Sequence, residues 1–536
     1  MKNNLFRITL TLFTISLFIL ILSGCRINLD PSPTPTNDLI FTMKADGTYS
    51  VAASTEFYSK ELTVPTVHNE IAVTEIAADG FVGSLTLETV IIPDGISVIG
   101  DHAFDNCQYL TSVTMPSTLS NVGKYAFSGC TKLTELVIPE NVTKVGKGAL
   151  TACDSLTSLT LPFVGTEKGS AKNSYLGVIF NADSYETQAK SIPKSLKSLK
   201  LTNTDTISTK CFYNCKYLVS VELPSTLYQI SGYAFENCKA LESINVPEGV
   251  TQIGFYAFQD CTSLAEVTLP ETLTVIDQFI FSGCTALEEI TVPSKVTVIP
   301  YSAFAGCISL TAVTLPEGLT HIGYGAFDDC TKLSSVNVPN SVTVIDQEAF
   351  QNCISLTEVN IPDGVTKLGE RAFQNCVSLM KVTVPSGITY IGSATFSGCK
   401  SITAVYIPSN IKIIYHSAFA GCTALSKVVI PYGVNQIFSK AFKDCTSLTE
   451  VIVPDSVEYM YDGVFENCTS LTAVTVSNRI ANIDEGTFSG CTALREIRYN
   501  GTLAEWSRVP KGADWLKKVP PLTLRCIDQT VEEYTA

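Results

Sequence analysis

The stretch AFSGCTKLTELVIP, residues 126–139, recurs along the chain with few changes. It returns as AFQDCTSLAEVTLP at residues 257–270 and as AFKDCTSLTEVIVP at residues 441–454. Its cysteine repeats every 23 residues, as in Cys238, Cys261 and Cys284, and the series runs on to Cys491. A fixed period of this length belongs to a supersecondary unit rather than to one helix or strand. The sequence therefore predicts a stack of similar coils, a repeat solenoid.

Composition limits the classes of function. The chain has 536 residues, of which 45% are hydrophobic, and carries a net charge of -15 with a pI near 4.9. A solenoid grows lengthwise around one continuous core, so this length does not require several globular domains. After the first few residues there is no run of lysine and arginine. We therefore expect no nucleic-acid partner, because phosphate binding depends on clustered cations.

The first 25 residues have the pattern of a targeting segment. Lys2 and Arg7 accompany an apolar run at residues 8–22, and the sequence LSGC ends at Cys25. The run is shorter than the roughly 20 residues of a membrane-spanning helix, so residues 1–24 are interpreted as a signal peptide. The ending resembles the bacterial lipoprotein signal, which implies lipidation of Cys25. The alternative is an ordinary cleaved signal with an incidental cysteine.

Residues 247–269, PEGVTQIGFYAFQDCTSLAEVTL, show what one unit buries. Eight apolar residues in one coil cannot close a core alone, so each coil must pack against its neighbours. The alternating end of the unit predicts a short strand that Pro270 stops, and stacked strands predict a parallel sheet along one side. We expect a second short strand or bend near Ile253, and a single helical or 3₁₀ turn over Ala-Phe-x-x-Cys. The eight predicted core positions are Val250, Ile253, Ala257, Phe258, Cys261, Leu264, Val267 and Leu269.

The pattern Leu-x-x-Val-x-Leu-Pro-x-x-Leu-x-x-Ile-Gly-x-x-Ala-Phe-x-x-Cys resembles the 23-residue unit of BspA-type bacterial leucine-rich-repeat surface proteins. The resemblance covers roughly residues 65–526. It implies a leucine-rich-repeat superhelix, mostly strand and irregular structure with short helical turns. It also implies a non-enzymatic role at the cell surface, in adhesion to extracellular host proteins or to other cells.

We predict the following organisation. A lipidated cysteine and a Pro/Ser/Thr linker occupy residues 25–40, and an N-terminal cap occupies residues 41–92. Three regular repeats cover residues 93–161, an expanded irregular repeat covers 162–200, and thirteen regular repeats cover 201–499. The C-terminal cap and tail, residues 500–536, are similar to the cap of that family and contain both tryptophans, Trp506 and Trp515. Caps are required because an end coil would otherwise expose its apolar face.

The sequence offers little catalytic or metal-binding chemistry. Its four histidines, His68, His102, His321 and His416, lie in widely separated units, and the common nucleophile, zinc, phosphate-loop and calcium-loop motifs are absent. We therefore expect no catalytic residues, no cofactor and no metal. Asp and Asn residues that precede the repeat cysteines, such as Asp260, Asp329 and Asn352, are interpreted as turn residues rather than calcium ligands.

The repeat cysteines are predicted to be buried, reduced thiols. They share one column of the stack, and side chains that point the same way in successive coils do not give disulfide geometry. Cys211 differs because it precedes a second cysteine, Cys215, by only four residues. Packed thiols are favoured for this pair, with a local bridge or metal pair as the alternative.

Three functions compete at this stage. The favoured one is a lipid-anchored binding protein at the bacterial surface, whose partner is an extracellular protein or another cell-surface ligand. The second is a passive envelope spacer, whose exposed columns would lack any patch. The third is an enzyme seated on the 162–200 excursion, because long loops often carry function.

The strand face supplies the primary candidate site. The penultimate position of each strand holds small polar residues through most units, but it changes to Tyr406, Val429 and Ile452 in three consecutive units. We expect these three to form one exposed apolar strip that binds a partner, with Lys381 and Lys427 at its rim. The alternative is that strand propensity alone favours them.

A second candidate is a row of aromatic residues before Ala-Phe. Such a row could recognise peptide or sugar, or its rings could stack on one another and seal the edge of the solenoid. The row comprises Tyr125, Tyr233, Phe255, Tyr256, Phe279, Tyr301, Tyr324, Tyr415, Phe438 and Tyr461.

Overall fold

The computed structural model describes residue 34 and residues 36–535. Each regular unit forms one coil, and the strands of successive coils pair in parallel with a register of 23 residues. Ile244 lies opposite Val267 on one side of the stack, and Ile253 lies opposite Ile276 on another. The predicted repeat solenoid is confirmed. It has two parallel strand ladders, because the bend near Ile253 is itself a short strand.

The long-strand side carries strands of mostly three residues. The penultimate residue of the repeat motif points outward on each of them, and the residues before and after it point into the core. The strands are Glu61–Thr63, Thr89–Ile91, Ser112–Thr114, Glu135–Val137, Ser158–Leu161, Ser198–Leu201, Ser220–Glu222, Ser243–Asn245, Glu266–Thr268, Glu289–Thr291, Ala312–Thr314, Ser335–Asn337, Glu358–Asn360, Lys381–Val382, Ala404–Tyr406, Lys427–Val429, Glu450–Ile452, Ala473–Val476, Glu496–Tyr499 and Leu522–Arg525, closed by antiparallel Thr530–Tyr534.

The short-strand side carries strands of two residues in every regular coil. Its first strand, Ile71–Ile76, is longer and joins the ladder to the N-terminal cap. The two-residue strands are Val98–Ile99, Asn121–Val122, Lys144–Val145, Thr206–Ile207, Gln229–Ile230, Gln252–Ile253, Val275–Ile276, Val298–Ile299, His321–Ile322, Val344–Ile345, Lys367–Leu368, Tyr390–Ile391, Ile413–Ile414, Gln436–Ile437, Tyr459–Met460 and Asn482–Ile483.

The Ala-Phe-x-x-Cys segment is built from separate turns closed by i→i+3 hydrogen bonds, the pattern of a single 3₁₀ turn, and in the regular coils these turns do not extend into a helix. In one unit the N–H of Gln259 donates to the carbonyl of Tyr256, and that of Cys261 donates to the carbonyl of Phe258, both at 3.2 Å. Tyr256 and Asp260 have positive φ angles of 58° and 56°. A left-handed residue at each of these two positions stops the right-handed turns from continuing as a helix.

The core is a single column of repeated side chains. Phe258 and Cys261 are fully buried, and the Phe258 ring stacks on that of Phe281 with centroids 5.5 Å apart. The Cys261 thiol donates to the carbonyl of Phe235 in the preceding coil at 3.1 Å. Val267 and Leu269 are partly buried against this core, whereas the other six predicted positions of that unit are buried. Each coil therefore completes the core of its neighbour, as the period predicts.

The N-terminal cap consists of five strands. They are β1 (Leu39–Met43), β2 (Tyr49–Ala53), β3 (Glu61–Thr63), β4 (Val67–His68) and β5 (Ile71–Ile76), preceded by the 3₁₀ helix Thr36–Asp38. β1 pairs antiparallel with β2, and β2 pairs parallel with β5, which begins the short-strand ladder. β3 begins the long-strand ladder. Both ladders are thus started by this cap.

The C-terminal cap contains helix α2, Leu503–Arg508, which begins with a capping box between Thr502 and Glu505. The indole of Trp506 is buried and donates to the Tyr534 hydroxyl at 3.2 Å, while Trp515 packs edge-on against Trp506. These rings cover the apolar end of the last coil.

The expanded repeat stays within the stack. Ser158 pairs with Ser198, 40 residues later instead of 23, so this coil is 17 residues longer than the others. The extra residues form the 3₁₀ helix Leu176–Phe180, which is buried along its length, and helix α1, Gln188–Ser191. Gln188 is fully buried, accepts from the N–H of Gly177 at 2.9 Å and donates to the carbonyl of Tyr213 at 2.9 Å. The excursion is therefore a packed element of the solenoid.

Within residues 34 and 36–535, no helix has the length and apolar character needed to cross a membrane. The predicted signal peptide and Cys25 lie outside the described residues.

Candidate binding face

The three apolar residues picked out by the sequence lie side by side on the long-strand side. Tyr406 is paired with Val429 in register, and Ile452 occupies the same position one coil further on. Their exposed fractions are 71%, 56% and 60%. We call these three residues the apolar strip. Large apolar side chains rarely stay this exposed in adjacent positions on a folded surface.

The side chains of the apolar strip point away from the core because residues alternate between the two faces of each strand. In Ala404–Tyr406 the middle residue, Val405, is buried while both its neighbours are exposed, and the next two strands follow the same alternation. Thr383 borders the strip on one side and Thr475 borders it on the other, each in register with its nearest member. The strip is therefore three coils wide and ends in threonine at both sides.

A depression of about 490 Å³ lies between two of the strands that carry the strip. Val429 and Ile452 line it together with Lys427 and Glu450. A second depression of about 380 Å³, lined by Asn337, Asn360, Lys381 and Thr383 among others, lies on the polar part of the same face. The face thus combines an apolar centre with a polar border, the arrangement of many protein interfaces.

The two lysines predicted at the rim are on the surface of the long-strand side. Lys381 and Lys427 are both exposed and each lies at the first position of its strand. Lys381 is opposite Glu358 in register, and Lys427 is opposite Ala404. The two ammonium groups therefore flank the strip in alternate coils.

A charged network at the other border was not predicted. Arg498 reaches across two coils and donates to Glu450 at 2.8 Å and to Glu496 at 2.6 Å. Arg525 donates to Glu496 as well. Burial opposes ionisation of Glu496, but the hydrogen bonds from the two arginines outweigh it and lower the pKa of this carboxyl. At the first strand position the sequence changes from Lys427 to Glu450, but this change does not identify Arg498 as the partner of Glu450.

The aromatic row is a set of stacked rings. Centroid distances are 4.9 Å between Tyr233 and Tyr256, 4.6 Å between Tyr256 and Phe279, and 4.8 Å between Tyr301 and Tyr324. The later members Tyr415, Phe438 and Tyr461 stack in the same way, and Tyr125 stacks on His102. The rings are half-buried, except Phe255 and Tyr301, which are exposed. Most ring faces are therefore covered by a neighbouring ring, which is the mutual stacking that the sequence predicts as one of two alternatives.

The histidines are not brought together. His68 stacks on Phe41, His102 lies 2.9 Å from a carboxylate oxygen of Asp105, and His321 lies 2.7 Å from one of Asp346. Among residues 34 and 36–535, no three His, Cys, Asp or Glu side chains are grouped so as to hold a metal ion.

The repeat cysteines are free and buried in the described part of the chain, and so are Cys211 and Cys215. Burial raises the pKa of the Cys107 and Cys307 thiols to about 12. Thiols held in the protonated form are poor nucleophiles and poor metal ligands.

The residues before the cysteines adopt the left-handed conformation. Asp260, Asp329 and Asn352 have φ angles of 56°, 58° and 58°. Asn and Asp tolerate this region better than other non-glycine residues. This geometry accounts for their presence without a bound cation.

The expanded repeat offers only a small surface feature. A depression of about 290 Å³ is lined by Phe163, Lys168, Asp205 and Tyr228 among others. The buried amide of Gln188, which is the most distinctive polar group of the excursion, is fully engaged by backbone groups. The depression holds no histidine or cysteine that could act in catalysis.

These features define a class of protein. The chain is a leucine-rich-repeat solenoid whose strand face displays one side chain per coil at each register position, a scaffold that suits protein binding. A family model for the BspA type leucine rich repeat region matches residues 53–171, 191–311, 297–426 and 412–508. The chain belongs to this BspA-type family.

Several solved structures are similar to the chain. A leucine-rich repeat protein from Bacteroides ovatus is 24% identical, with 78% of this chain and 94% of that chain covered and a TM-score of 0.45. A leucine rich cell surface protein from Faecalibacterium prausnitzii is 22% identical, with 90% and 98% covered and a TM-score of 0.27. No curated protein matches the chain. The assignment rests on the family match and on the repeat geometry.

Proposed function

We propose that this chain is a non-enzymatic bacterial surface protein that binds an extracellular protein through the apolar strip. The observation that carries the proposal is the exposure of Tyr406, Val429 and Ile452 in three consecutive coils, bordered by Thr383 and Thr475 at the same position of the adjacent coils. Their burial against a partner would contribute about 1–2 kcal/mol for each side chain. A passive spacer would have no reason to expose such a strip.

The shape of the face favours a macromolecule over a small ligand. The strip spans three strands, about 10 Å of sheet, and its depression is a shallow feature between strands. Small-molecule sites are usually concave and enclose most of the ligand. A protein surface can instead cover the strip and contact the charged rim at the same time.

The rim gives the proposed interface its polarity. Lys381 and Lys427 supply positive charge on one border, whereas Glu450 and Arg498 pair with each other on the other border. Exposed charges of this kind steer association and contribute little net affinity. We therefore expect an acidic patch on the partner beside the lysines, and an association rate that falls with added salt.

Attachment to the membrane is proposed to depend on Cys25 alone, as its resemblance to the lipoprotein signal implies. Cys25→Ala should release the protein or leave it unprocessed, which fractionation and mass spectrometry of the mature N-terminus would detect. An unmodified Cys25 in the mature wild-type protein would refute the anchor. The binding proposal does not depend on this result.

Site-specific photo-crosslinking tests the binding proposal. A photoreactive residue at position 429 of the full chain would be compared with the same residue at position 291, which has the equivalent place in a polar coil. With host extracellular protein added to the cells, position 429 should yield a crosslinked partner and position 291 should not. Equal crosslinking at both positions, or at neither, would count against the strip as the site.

A further inference from the structure

The two ends of the solenoid finish in an antiparallel strand, and the C-terminal one is protected against further pairing. Thr530–Tyr534 carries Glu532 and Glu533, and Glu533 has a φ of 55°. The register between this strand and Leu522–Arg525 is also shifted. Charged side chains and irregular backbone at a sheet edge prevent another strand from adding.

The long-strand ladder is also closed at its N-terminal edge. The N–H of Thr34 donates to the carbonyl of Thr63 in β3 at 3.2 Å, and the Thr34 hydroxyl accepts from the N–H of Thr63 at 2.9 Å. Pro33 and Pro35 flank Thr34 in sequence and have no N–H to offer. A further strand therefore finds no continuous set of partners at β3.

β1 has none of these protections. Its sequence, LIFTM, contains no charge, proline or glycine, and all five residues pair with β2 in regular antiparallel register. Ile40 and Met43 are 50% and 49% exposed. Within the described residues, no strand pairs with the other edge of β1. A regular, uncharged edge strand is a template for pairing with another chain.

The ladder pattern shows which backbone groups face outward. The N–H of Lys44 donates to the carbonyl of Thr48 at 2.8 Å, and the N–H of Ser54 donates to the carbonyl of Asp38 at 2.9 Å. Hydrogen-bonded pairs alternate in an antiparallel ladder, so Ile40 and Thr42 also direct their groups towards β2. The N–H and C=O groups of the intervening residues, which are Leu39, Phe41 and Met43, therefore point to the open edge.

We propose that β1 pairs antiparallel with β1 of a second copy of this chain, with Phe41 at the two-fold axis. In that register Phe41 lies opposite Phe41 of the second copy, and Leu39 lies opposite Met43. The three outward residues of each strand then meet one another, which makes the contact self-complementary as a two-fold interface requires.

The charges next to β1 select the antiparallel direction. This pairing places Asp38 of each copy opposite Lys44 of the other, whereas parallel pairing would place Asp38 beside Asp38. Lys44 also pairs within its own chain with Glu75 of β5 at 2.9 Å and with Asp46 at 3.3 Å, so the separation of the two Asp38 carboxylates contributes more to this selection than attraction to Lys44. Such exposed pairs contribute modestly to affinity, but they discriminate between the two directions. A second copy is the assigned occupant because it supplies the same outward residues in matching positions about a two-fold axis and keeps the two Asp38 carboxylates apart.

This contact is separate from the apolar strip. β1 ends at Met43 in the N-terminal cap, whereas the strip begins at Tyr406 many coils later. Self-association and partner binding can therefore each fail in experiment without affecting the other.

Sedimentation equilibrium of the full chain, in a density-matched detergent, tests the proposal. Wild-type protein should show a reversible monomer–dimer equilibrium. Met43→Pro removes an outward N–H from each copy and leaves the bonds to β2 intact, so the dimer dissociation constant should rise about tenfold or more. Asp38→Lys, which leaves β1 itself unchanged, should weaken the dimer at low salt and less so at high salt.

Ala45→Pro is the matched control. Ala45 lies in the β1–β2 turn, in which the N–H of Gly47 donates to the carbonyl of Lys44 at 3.1 Å, and proline is favoured at this turn position. This variant should dimerise like the wild type. A wild-type protein that stays monomeric at every concentration would overturn the proposal. A dimer that is unaffected by both Met43→Pro and Asp38→Lys would overturn it equally.

Discussion

Tyr406 and Val429 face each other in register on two neighbouring parallel strands, and both side chains point away from the core. Side chains alternate between the two faces of a strand, so the neighbouring residues Val405 and Val428 point into the core. Stability and recognition therefore depend on different residues of the same coil. This separation allows the binding face to be changed without dismantling the solenoid.

The repeat cysteines should resist labelling in the native protein. Cys261 is fully buried and donates to the carbonyl of Phe235, and burial raises the pKa of thiols in this column well above the normal value. A thiol reagent such as DTNB should therefore react with these cysteines only after denaturation. Mass spectrometry would identify the labelled cysteines. Rapid labelling of many of them in the folded protein would contradict their burial.

Asp328→Asn should stabilise the protein at neutral pH. Burial, and then the nearby carboxylate of Asp329, raise the pKa of Asp328 to about 6, above its ordinary value of 3.8. The folded state thus binds this proton more tightly than the unfolded state, so the ionised carboxylate opposes folding above pH 6 and less so as the pH falls towards about 4. The gain should be about 1–2 kcal/mol after allowance for solvent exposure.

Thermal unfolding across this pH range measures the effect. The asparagine keeps an acceptor for Gln351 and Asn352, whose amides contact Asp328 at 3.4 Å. Asp154→Asn, at an exposed position, is the control and should shift Tm by no more than about 1 °C. A Tm gain for Asp328→Asn that grows as the pH is lowered would contradict a raised pKa of Asp328 in the folded protein.

The left-handed column predicts a contrast between two substitutions at one site. Asn352 has a φ of 58°, so Asn352→Ala should destabilise its coil by about 1 kcal/mol whereas Asn352→Gly should be tolerated. Chelation with EDTA should leave Tm unchanged, because the residue serves the turn. A large loss of Tm with EDTA would instead indicate a calcium site.

Gln188 should be essential to the expanded repeat. Gln188→Ala would leave the N–H of Gly177 and the carbonyl of Tyr213 buried without partners, at a cost of about 2–4 kcal/mol. Hydrogen exchange should then speed up in residues 176–192 while distant coils stay protected, because each coil contacts mainly its neighbours. Lys190→Ala, an exposed change in the same helix, should leave exchange unaltered.

Much of this fold could be predicted from one repeat. The period, the strand before each proline and the buried columns follow from short-range alternation that is restated in every coil, and so does the outward placement of Ile452. The left-handed φ angles of Asp260 and Tyr256, which keep the successive turns from joining into a helix, were not predicted because residue type alone does not reveal them. A tyrosine at such a position is unusual, and its stacking on Tyr233 compensates.

The parts that were missed depend on distant or irregular contacts. Arg498 pairs with Glu450, 48 residues earlier, because a long side chain crosses two coils, and no local pattern marks this contact. The burial of Gln188 depends on how a non-repeating segment folds back onto Gly177 and Tyr213. Periodicity cannot predict a segment that occurs once.

The most direct test of the central claim is the affinity of the variant Tyr406→Thr/Val429→Thr/Ile452→Thr for the partner crosslinked at position 429. Threonine keeps strand propensity and removes the exposed apolar surface, so binding should weaken at least about tenfold while Tm stays within about 2 °C of the wild type. Val137→Thr is the control, because Val137 is 56% exposed at the same strand position outside the strip. Unchanged affinity in the triple variant, or an equal loss in Val137→Thr, would contradict the strip as the binding site.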